Sequence, residues 1–183
     1  MIGALLAGGS GRRLGAPSKP AALVVGRPLV SYPAQALAAV CSPVAVVCKR
    51  STSLPDLPGV ERWDEPDEPR HPLTGIVHAL EAAGGPVLVC AADMPFVTPD
   101  ACRSLLQAGQ GADAVVATSE GVLQPVFGLY ALSALDPLRA APADAPLTAT
   151  VEALDPVRVA LPGALVRSVN TPEELAEAEA LLA

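Results

Sequence analysis

Three segments of this chain carry residues suited to handling a polyphosphate. The first runs Leu6-Ala7-Gly8-Gly9-Ser10-Gly11-Arg12-Arg13-Leu14-Gly15-Ala16-Pro17-Ser18-Lys19 and places three glycines (Gly8, Gly9, Gly11) within four positions. Glycine lets the backbone approach another group closely and reach positive φ at little cost. Successive N–H groups in such a loop form a concave nest for an anion. Arg12, Arg13 and Lys19 add full positive charges a few residues on. Glycine-rich turn and cations together point to a nucleoside polyphosphate.

Two other phosphate loops are excluded by spacing. A Walker A loop needs a Gly-Lys-Ser/Thr ending, whereas Lys19 stands between Ser18 and Pro20. The dinucleotide fingerprint needs Gly-x-Gly-x-x-Gly opening directly into a helix. Here Gly15 comes one place late, and Pro17 and Pro20 oppose an immediate helix.

The second segment, Cys90-Ala91-Ala92-Asp93-Met94-Pro95-Phe96, puts a carboxylate just past an apolar run. Asp93 in that place either caps the next turn or supplies a hard oxygen ligand to Mg²⁺, which binds through one or two carboxylates plus substrate phosphates. A carboxylate facing a triphosphate would repel it without the metal, so the glycine loop opposite favours the second role. The third segment is Ser168-Val169-Asn170-Thr171-Pro172-Glu173-Glu174-Leu175. A capped helix start accounts for Thr171, Pro172 and Glu174. It leaves Asn170, whose amide oxygen is a candidate second ligand to the metal or its water.

The elements that must position these residues alternate. Met1–Leu5 reads as a strand leading into the glycine loop, and Pro28–Val40 as a helix. Val44–Cys48 is a continuous apolar strand of the kind buried in parallel sheets. Val60–Trp63 is a shorter strand with Asp64 after it, and Leu73–Ala83 is a helix stopped by Gly84-Gly85. The strand Pro86–Ala91 leads to Asp93, and Thr98-Pro99-Asp100 opens a helix to about Ala108. Ala112–Thr118 and Pro125–Tyr130 are strands, and Leu132–Ala140 and Leu147–Ala153 short helices. Val157–Leu161 and Leu165–Val169 read as short strands before the last helix. This predicts an α/β fold with one domain over 1–183, a three-layer, Rossmann-like, mostly parallel sheet with helices on both faces. Ligands of such sheets sit at the carboxyl ends of the strands, where the glycine loop and Asp93 fall.

Composition narrows the class. With 51% hydrophobic residues but 3% aromatics, the core must be built from Ala, Val and Leu. The 20 prolines cluster in connections and read as stiff loops. A net charge of −7 argues against a nucleic-acid partner, which requires a basic face. The four cysteines lack Cys-x-x-Cys spacing, and Cys48 and Cys90 lie in apolar runs, so they read as small core residues. No basic leader with a long apolar stretch opens the chain and no run reaches about 20 apolar residues, so a cytoplasmic protein without a membrane span is expected.

Taken together, these segments resemble the MobA-like nucleotidyltransferases, the group that includes molybdenum cofactor guanylyltransferases. The family's opening Leu-Ala-Gly-Gly, Arg-x-Gly and Lys are matched by Leu6 to Gly9, Arg13-Leu14-Gly15 and Lys19. Its Pro-Leu-x-Gly is matched by Pro72-Leu73-Thr74-Gly75, its Asp-x-Pro-Phe by Asp93 to Phe96, and its late Asn-Thr-Pro-Glu-Glu-Leu by Asn170 to Leu175. The resemblance implies a nucleotide-diphospho-sugar transferase type of fold and Mg²⁺-dependent transfer of a nucleotidyl group. GTP is the favoured donor, a molybdopterin-type cofactor the acceptor, and pyrophosphate the leaving group. Leu6, Ala7, Gly8 and Gly9 would hold the nucleoside and phosphates, Arg13 and Lys19 would neutralise charge, and Asp93 and Asn170 would hold the metal. Asp64 would contact the nucleotide. No side chain is assigned to guanine, and backbone groups near Leu6 and Ala7 are the expected readers.

This sequence departs from the family pattern at Ser18 for Asp, Pro20 after the lysine, His71 for Gly, and Ser168 for the first Asn of an Asn-x-Asn pair. Those positions leave open cytidylyl transfer, phospholactate guanylyl transfer and sugar-phosphate nucleotidyl transfer. A nucleotide-binding module without catalysis is the rival of another class, opposed by the joint presence of Arg13, Lys19 and Asp93. His71 and His78 have no third group to orient them and are not read as a catalytic pair. Gln124-Pro125-Val126-Phe127 is a candidate lining of the acceptor pocket, with Phe127 read as core.

Overall fold

The apolar runs bury one another as a seven-stranded sheet between two layers of helices, in a computed structural model that describes residues 1–8, 18–109, 111–142 and 145–183. Gly9, Gly11, Arg12 and Arg13 therefore lie outside the described residues. In chain order the elements are β1 (Ile2–Leu6), a hairpin of β2 (Leu23–Val24) and β3 (Arg27–Pro28), α1 (Ser31–Ala38), β4 (Val44–Lys49), β5 (Val60–Glu65), α2 (Pro72–Ala83), β6 (Val87–Ala91) and α3 (Pro99–Ala108). There follow β7 (Ala114–Ser119), β8 (Val122–Tyr130), α4 (Leu135–Ala140), α5 (Leu147–Glu152), β9 (Val157–Ala160) and α6 (Pro172–Leu182).

The sheet order is β5-β4-β1-β6-β8-β7-β9. β5, β4, β1 and β6 are mutually parallel, as are β7 and β9, while β8 runs antiparallel to both β6 and β7. The expected three-layer, mostly parallel α/β fold is what forms. Leu37 of α1 and Cys102 and Leu105 of α3 pack on one face, against Leu88, Cys90 and Phe127. Ile76 and Leu80 of α2, Leu138 of α4 and Val151 of α5 cover the other, against Val89, Val116 and Tyr130. A small third core of Val24, Leu29, Val169 and Ala178 joins the β2–β3 hairpin to α6.

Several element assignments change. The segment expected as a helix from Pro28 begins at Ser31, because Arg27 and Pro28 pair with Val24 and Leu23. Leu165–Val169 is not a strand: Gly163–Val166 forms a 3₁₀ turn closed by Leu165 N–H on the Pro162 carbonyl at 2.9 Å. The strand expected to stop at Trp63 runs on to Glu65, paired through Lys49↔Glu65, so Asp64 lies within it. β7 and β8 are joined by Glu120-Gly121, both at positive φ (51° and 79°), as a tight hairpin of right-twisted strands requires. Among the described residues no helix is long and apolar enough to cross a membrane.

Candidate functional site

The central parallel strands end on one side of the sheet, and their last residues and the loops after them build a single concave site. β1 delivers Leu6, Ala7 and Gly8, with Ala7 N–H bonded to the Val47 carbonyl of β4 at 2.9 Å. β6 delivers Asp93 through a turn in which Ala92 N–H donates to the Leu6 carbonyl at 3.0 Å. The two segments expected to face each other are thus hydrogen-bonded neighbours. Asn170 arrives from the far end of the chain because Val169 N–H donates to the Asp93 carbonyl at 2.8 Å. Val169 itself is fully buried in the third core, so the packing of α6 on the hairpin fixes where Asn170 sits.

Lys19 stands on a 3₁₀ turn, Lys19–Ala21, with Pro20 at its start. Its ammonium forms an ion pair with Asp93 Oδ2, the side chains being 14% and 20% exposed, and donates to Asn170 Oδ1 at 2.5 Å. A lysine, a carboxylate and an amide from distant parts of the sequence therefore meet at one point. Ser18, in place of a family Asp, is buried and its hydroxyl donates to the Ser53 carbonyl at 2.5 Å. A carboxylate there has no proton to donate, so serine is the type that ties this loop to the strand-four connection.

Asp93 Oδ1 is buried and has no hydrogen-bond partner among the described residues. A buried, unsatisfied carboxylate oxygen is costly unless a ligand completes it. Beside it Asn170 Oδ1 is a second hard oxygen, and both already coordinate a cation, the Lys19 ammonium. This donor set fits a hard divalent ion that takes its remaining ligands from phosphates and water.

A cavity of about 320 Å³ opens beside this cluster, lined by Leu6, Gly8, Val47 and Asp93 along the strand ends and by Arg70, His71, Pro72 and Gly75 at the start of α2. Ser168 and Val126 close its other side. Val126 thus lines the site as expected of the Gln124–Phe127 segment, while Phe127 is core. His71 is the N-cap of α2, its Nδ1 accepting from Leu73 N–H at 3.3 Å, so the residue replacing a family glycine satisfies an otherwise unpaired helix donor. Gly75 lets Leu6 and Glu65 approach α2 closely: a Cβ there would lie 3.0 Å from Leu6 Cδ2 and 3.2 Å from Glu65 Oε2, so both side chains would have to shift.

Asp64 and Glu65 alternate across the sheet. Asp64 pairs with Arg62 at 2.8 Å in a neighbouring cleft with Arg50, Pro66 and His78, while its successor Glu65 borders that cleft and also lines the main cavity, which Asp64 does not. His78 is likewise in that second cleft. Sequence reasoning passed over Lys49 and Glu65, which end adjacent parallel strands and form a buried ion pair at 3.3 Å. The available signal was a single charge closing each strand at its carboxyl end, where such sheets bind ligands. Burial pushes the Glu65 carboxyl above the usual range, against the opposing pull of the Lys49 ammonium.

The four cysteines are free and buried. Among the described residues no three His, Cys, Asp or Glu side chains group as a metal site.

The chain was compared with known proteins. The family model for the MobA-like NTP transferase domain matches residues 3–157. A molybdenum cofactor guanylyltransferase of Cereibacter sphaeroides is 33% identical over 195 residues, with 100% of this chain and 97% of that protein covered. A probable molybdenum cofactor guanylyltransferase of Chloroflexus aggregans is 36% identical over 145 residues, covering 76% of this chain and 69% of that protein. The crystal structure of molybdopterin-guanine dinucleotide biosynthesis protein A from Archaeoglobus fulgidus matches with a TM-score of 0.78 at 25% identity, covering 100% of this chain and 98% of that one. The 2-C-methyl-D-erythritol 4-phosphate cytidylyltransferase of Thermus thermophilus shares the fold, with a TM-score of 0.73 at 21% identity over 98% and 97% of the two chains.

Proposed function

The chain belongs to the MobA-like NTP transferase family and is a nucleotidyltransferase, and from that premise we propose that it transfers a guanylyl group from GTP to a molybdopterin-type acceptor ending in a phosphate. The observation that carries this reading is the meeting of Lys19, Asp93 and Asn170 beside Leu6 and Ala7, with Gly8 and Asp93 lining the adjoining cavity. Residues 1–183 act as one unit, since Asn170 is supplied from beyond the family match.

In the reaction an oxygen of the acceptor phosphate attacks the α-phosphorus of GTP. A new P–O bond forms as the bond from the α-phosphorus to the bridging oxygen breaks, and pyrophosphate leaves with that electron pair. No protein nucleophile is required; positioning and charge neutralisation provide the acceleration. Backbone N–H groups at Gly8 hold phosphate oxygens, and Gly9 and Arg13, which follow in the sequence, are assigned the same work. Lys19 turns its ammonium from Asp93 to the phosphates as the nucleotide enters. Asp93 and Asn170 are the oxygens that would hold Mg²⁺, which when bound supplies Lewis-acid stabilisation of the charge on the phosphates. Arg70 lines the cavity, paired with Glu68 at 3.2 Å, and is the cation assigned to the acceptor's anionic end.

The experiment is direct. The protein is mixed with molybdopterin and each of GTP, ATP, CTP and UTP, with and without Mg²⁺, and pyrophosphate is measured. Release with GTP, dependent on both acceptor and metal, is expected. Release with CTP alone reassigns the protein to cytidylyl transfer, and tight GTP binding without release under any condition makes it a non-catalytic binding module.

A further inference from the structure

Glu65 is buried, 7% exposed, yet its carboxylate lines the cavity. Its surroundings are shaped around it. A Cβ on Gly8 would lie 3.3 Å from Oε1 and one on Gly75 would lie 3.2 Å from Oε2, so two glycines leave both oxygens uncovered. Lys49 is its partner among the described residues, at 3.3 Å, a contact too long for a strong charged hydrogen bond. The Lys49 ammonium also donates to the carbonyls of Pro66 and Pro69, which leaves one of its three N–H groups for the carboxylate. Lys49 therefore anchors the loop before α2 and lowers the cost of a buried negative charge, but with one N–H left it fills only part of what two carboxylate oxygens can accept. Such a carboxylate is a poor structural element and a good receptor, because a ligand that brings two parallel N–H donors completes it.

Resting on the guanylyl-transfer reading above, we propose that Glu65 reads the 2-amino-4-oxopyrimidine edge of a ring entering this cavity, accepting the ring N–H and the exocyclic amine on its two oxygens. Guanine presents that pair of adjacent donors. Adenine and cytosine offer an acceptor next to a donor, and uracil a donor flanked by carbonyls, so each sets a lone pair against a carboxylate oxygen. Gly8 belongs to the phosphate loop and stands beside Oε1, which places the donor nucleotide's guanine within reach. The pterin of the acceptor carries the same edge, and the two sources are separable by experiment.

The test uses ITP, which is GTP without the exocyclic amine, and the Glu65→Gln variant, which keeps the shape but can accept only one of the two bonds. Dissociation constants for GTP and ITP are measured on the full chain without acceptor. GTP should bind wild type at least about tenfold tighter than ITP, the worth of one hydrogen bond to a charged group, and in Glu65→Gln that ratio should fall towards one. A ratio unchanged by the substitution, with the KM of molybdopterin raised about tenfold instead, assigns the edge to the pterin. A ratio and a KM both unchanged overturn the proposal, while GTP preference and transfer then still support the guanylyl reading. Should the variant not fold, equal affinity of wild type for GTP and ITP removes the guanine assignment by itself. A wild type that prefers CTP defeats the guanylyl reading and the guanine assignment together.

Discussion

Lys19 and Asp93, 74 residues apart, are joined in a largely shielded ion pair, and the oxygen of Asp93 that the lysine does not hold has no partner among the described residues. The oxygens proposed to hold a metal are thus assembled with a side-chain cation already beside them. The pair holds the loop near the strand ends before any ligand arrives.

Asp93→Asn should remove most transfer activity while leaving the fold intact. The amide oxygen still accepts from Lys19, but the amide NH2 takes the buried place of Oδ1 and Lys19 loses its counter-charge, so a cost of about 1–2 kcal/mol without loss of the fold is expected. Thermal melting and Mg²⁺-dependent turnover of the two proteins check this. Unchanged turnover would exclude Asp93 as the metal ligand.

Lys19→Met should weaken triphosphate binding and, unlike a change at a solvated surface lysine, cost about 1–2 kcal/mol of stability by leaving Asp93 without its counter-charge. Adding Mg²⁺ should restore part of that loss, because another cation then sits beside the carboxylate. Melting curves with and without Mg²⁺ distinguish this from loss of packing, which the ion would not repair.

Glu174 accepts from the backbone N–H groups of both Asn170 and Thr171, at 2.5 Å and 3.1 Å, while Thr171 Oγ1 accepts from Glu174 N–H. The helix cap therefore also pins the backbone of a site residue. Glu174→Ala should cost about 1 kcal/mol and lower turnover, with Glu174→Gln recovering much of both. Equal turnover in all three proteins would reduce the capping box to a purely structural role.

Glu65 supplies a pH dependence whose sign follows from its raised carboxyl. The folded state keeps this proton at pH values where the unfolded chain has lost it, so the unfolded state binds fewer protons and stability falls as pH rises. Relative to Glu65→Gln, wild type should lose stability with increasing pH from about 4.3, the ordinary glutamate value, upward through its raised value. Denaturant titrations of both proteins across that window measure the difference, and a flat difference would show that Lys49 fully compensates the burial.

Burial pushes the thiols of Cys41 and Cys48 up to about 11 and that of Cys102 to about 12, and Cys90 is also raised well above its usual value. At pH 8 a thiol-specific reagent should leave the native protein nearly unmodified and titrate four thiols after unfolding. Rapid reaction of the native protein would reveal an exposed or activated cysteine.

The sequence by itself determined the alternation of strands and helices and the place of a glycine-rich segment after the first strand. It also placed Asp93 past a buried strand and Asn170 just ahead of a capped helix. These are local signals: apolar runs, glycine and proline spacing, and capping residues each act over a few positions. Tertiary structure decided the rest. Only folding revealed that the N–H of Val169 bonds the carbonyl of Asp93 and so carries Asn170 to Lys19. The tight turn at Glu120-Gly121 brought in antiparallel β8, and strand pairing carried β5 to Glu65, so that Glu65 and not Asp64 reaches the main cavity. No short-range pattern records the register Lys49↔Glu65, because that pair exists only once two strands, separated by a connecting loop, lie side by side with their ends at one cavity.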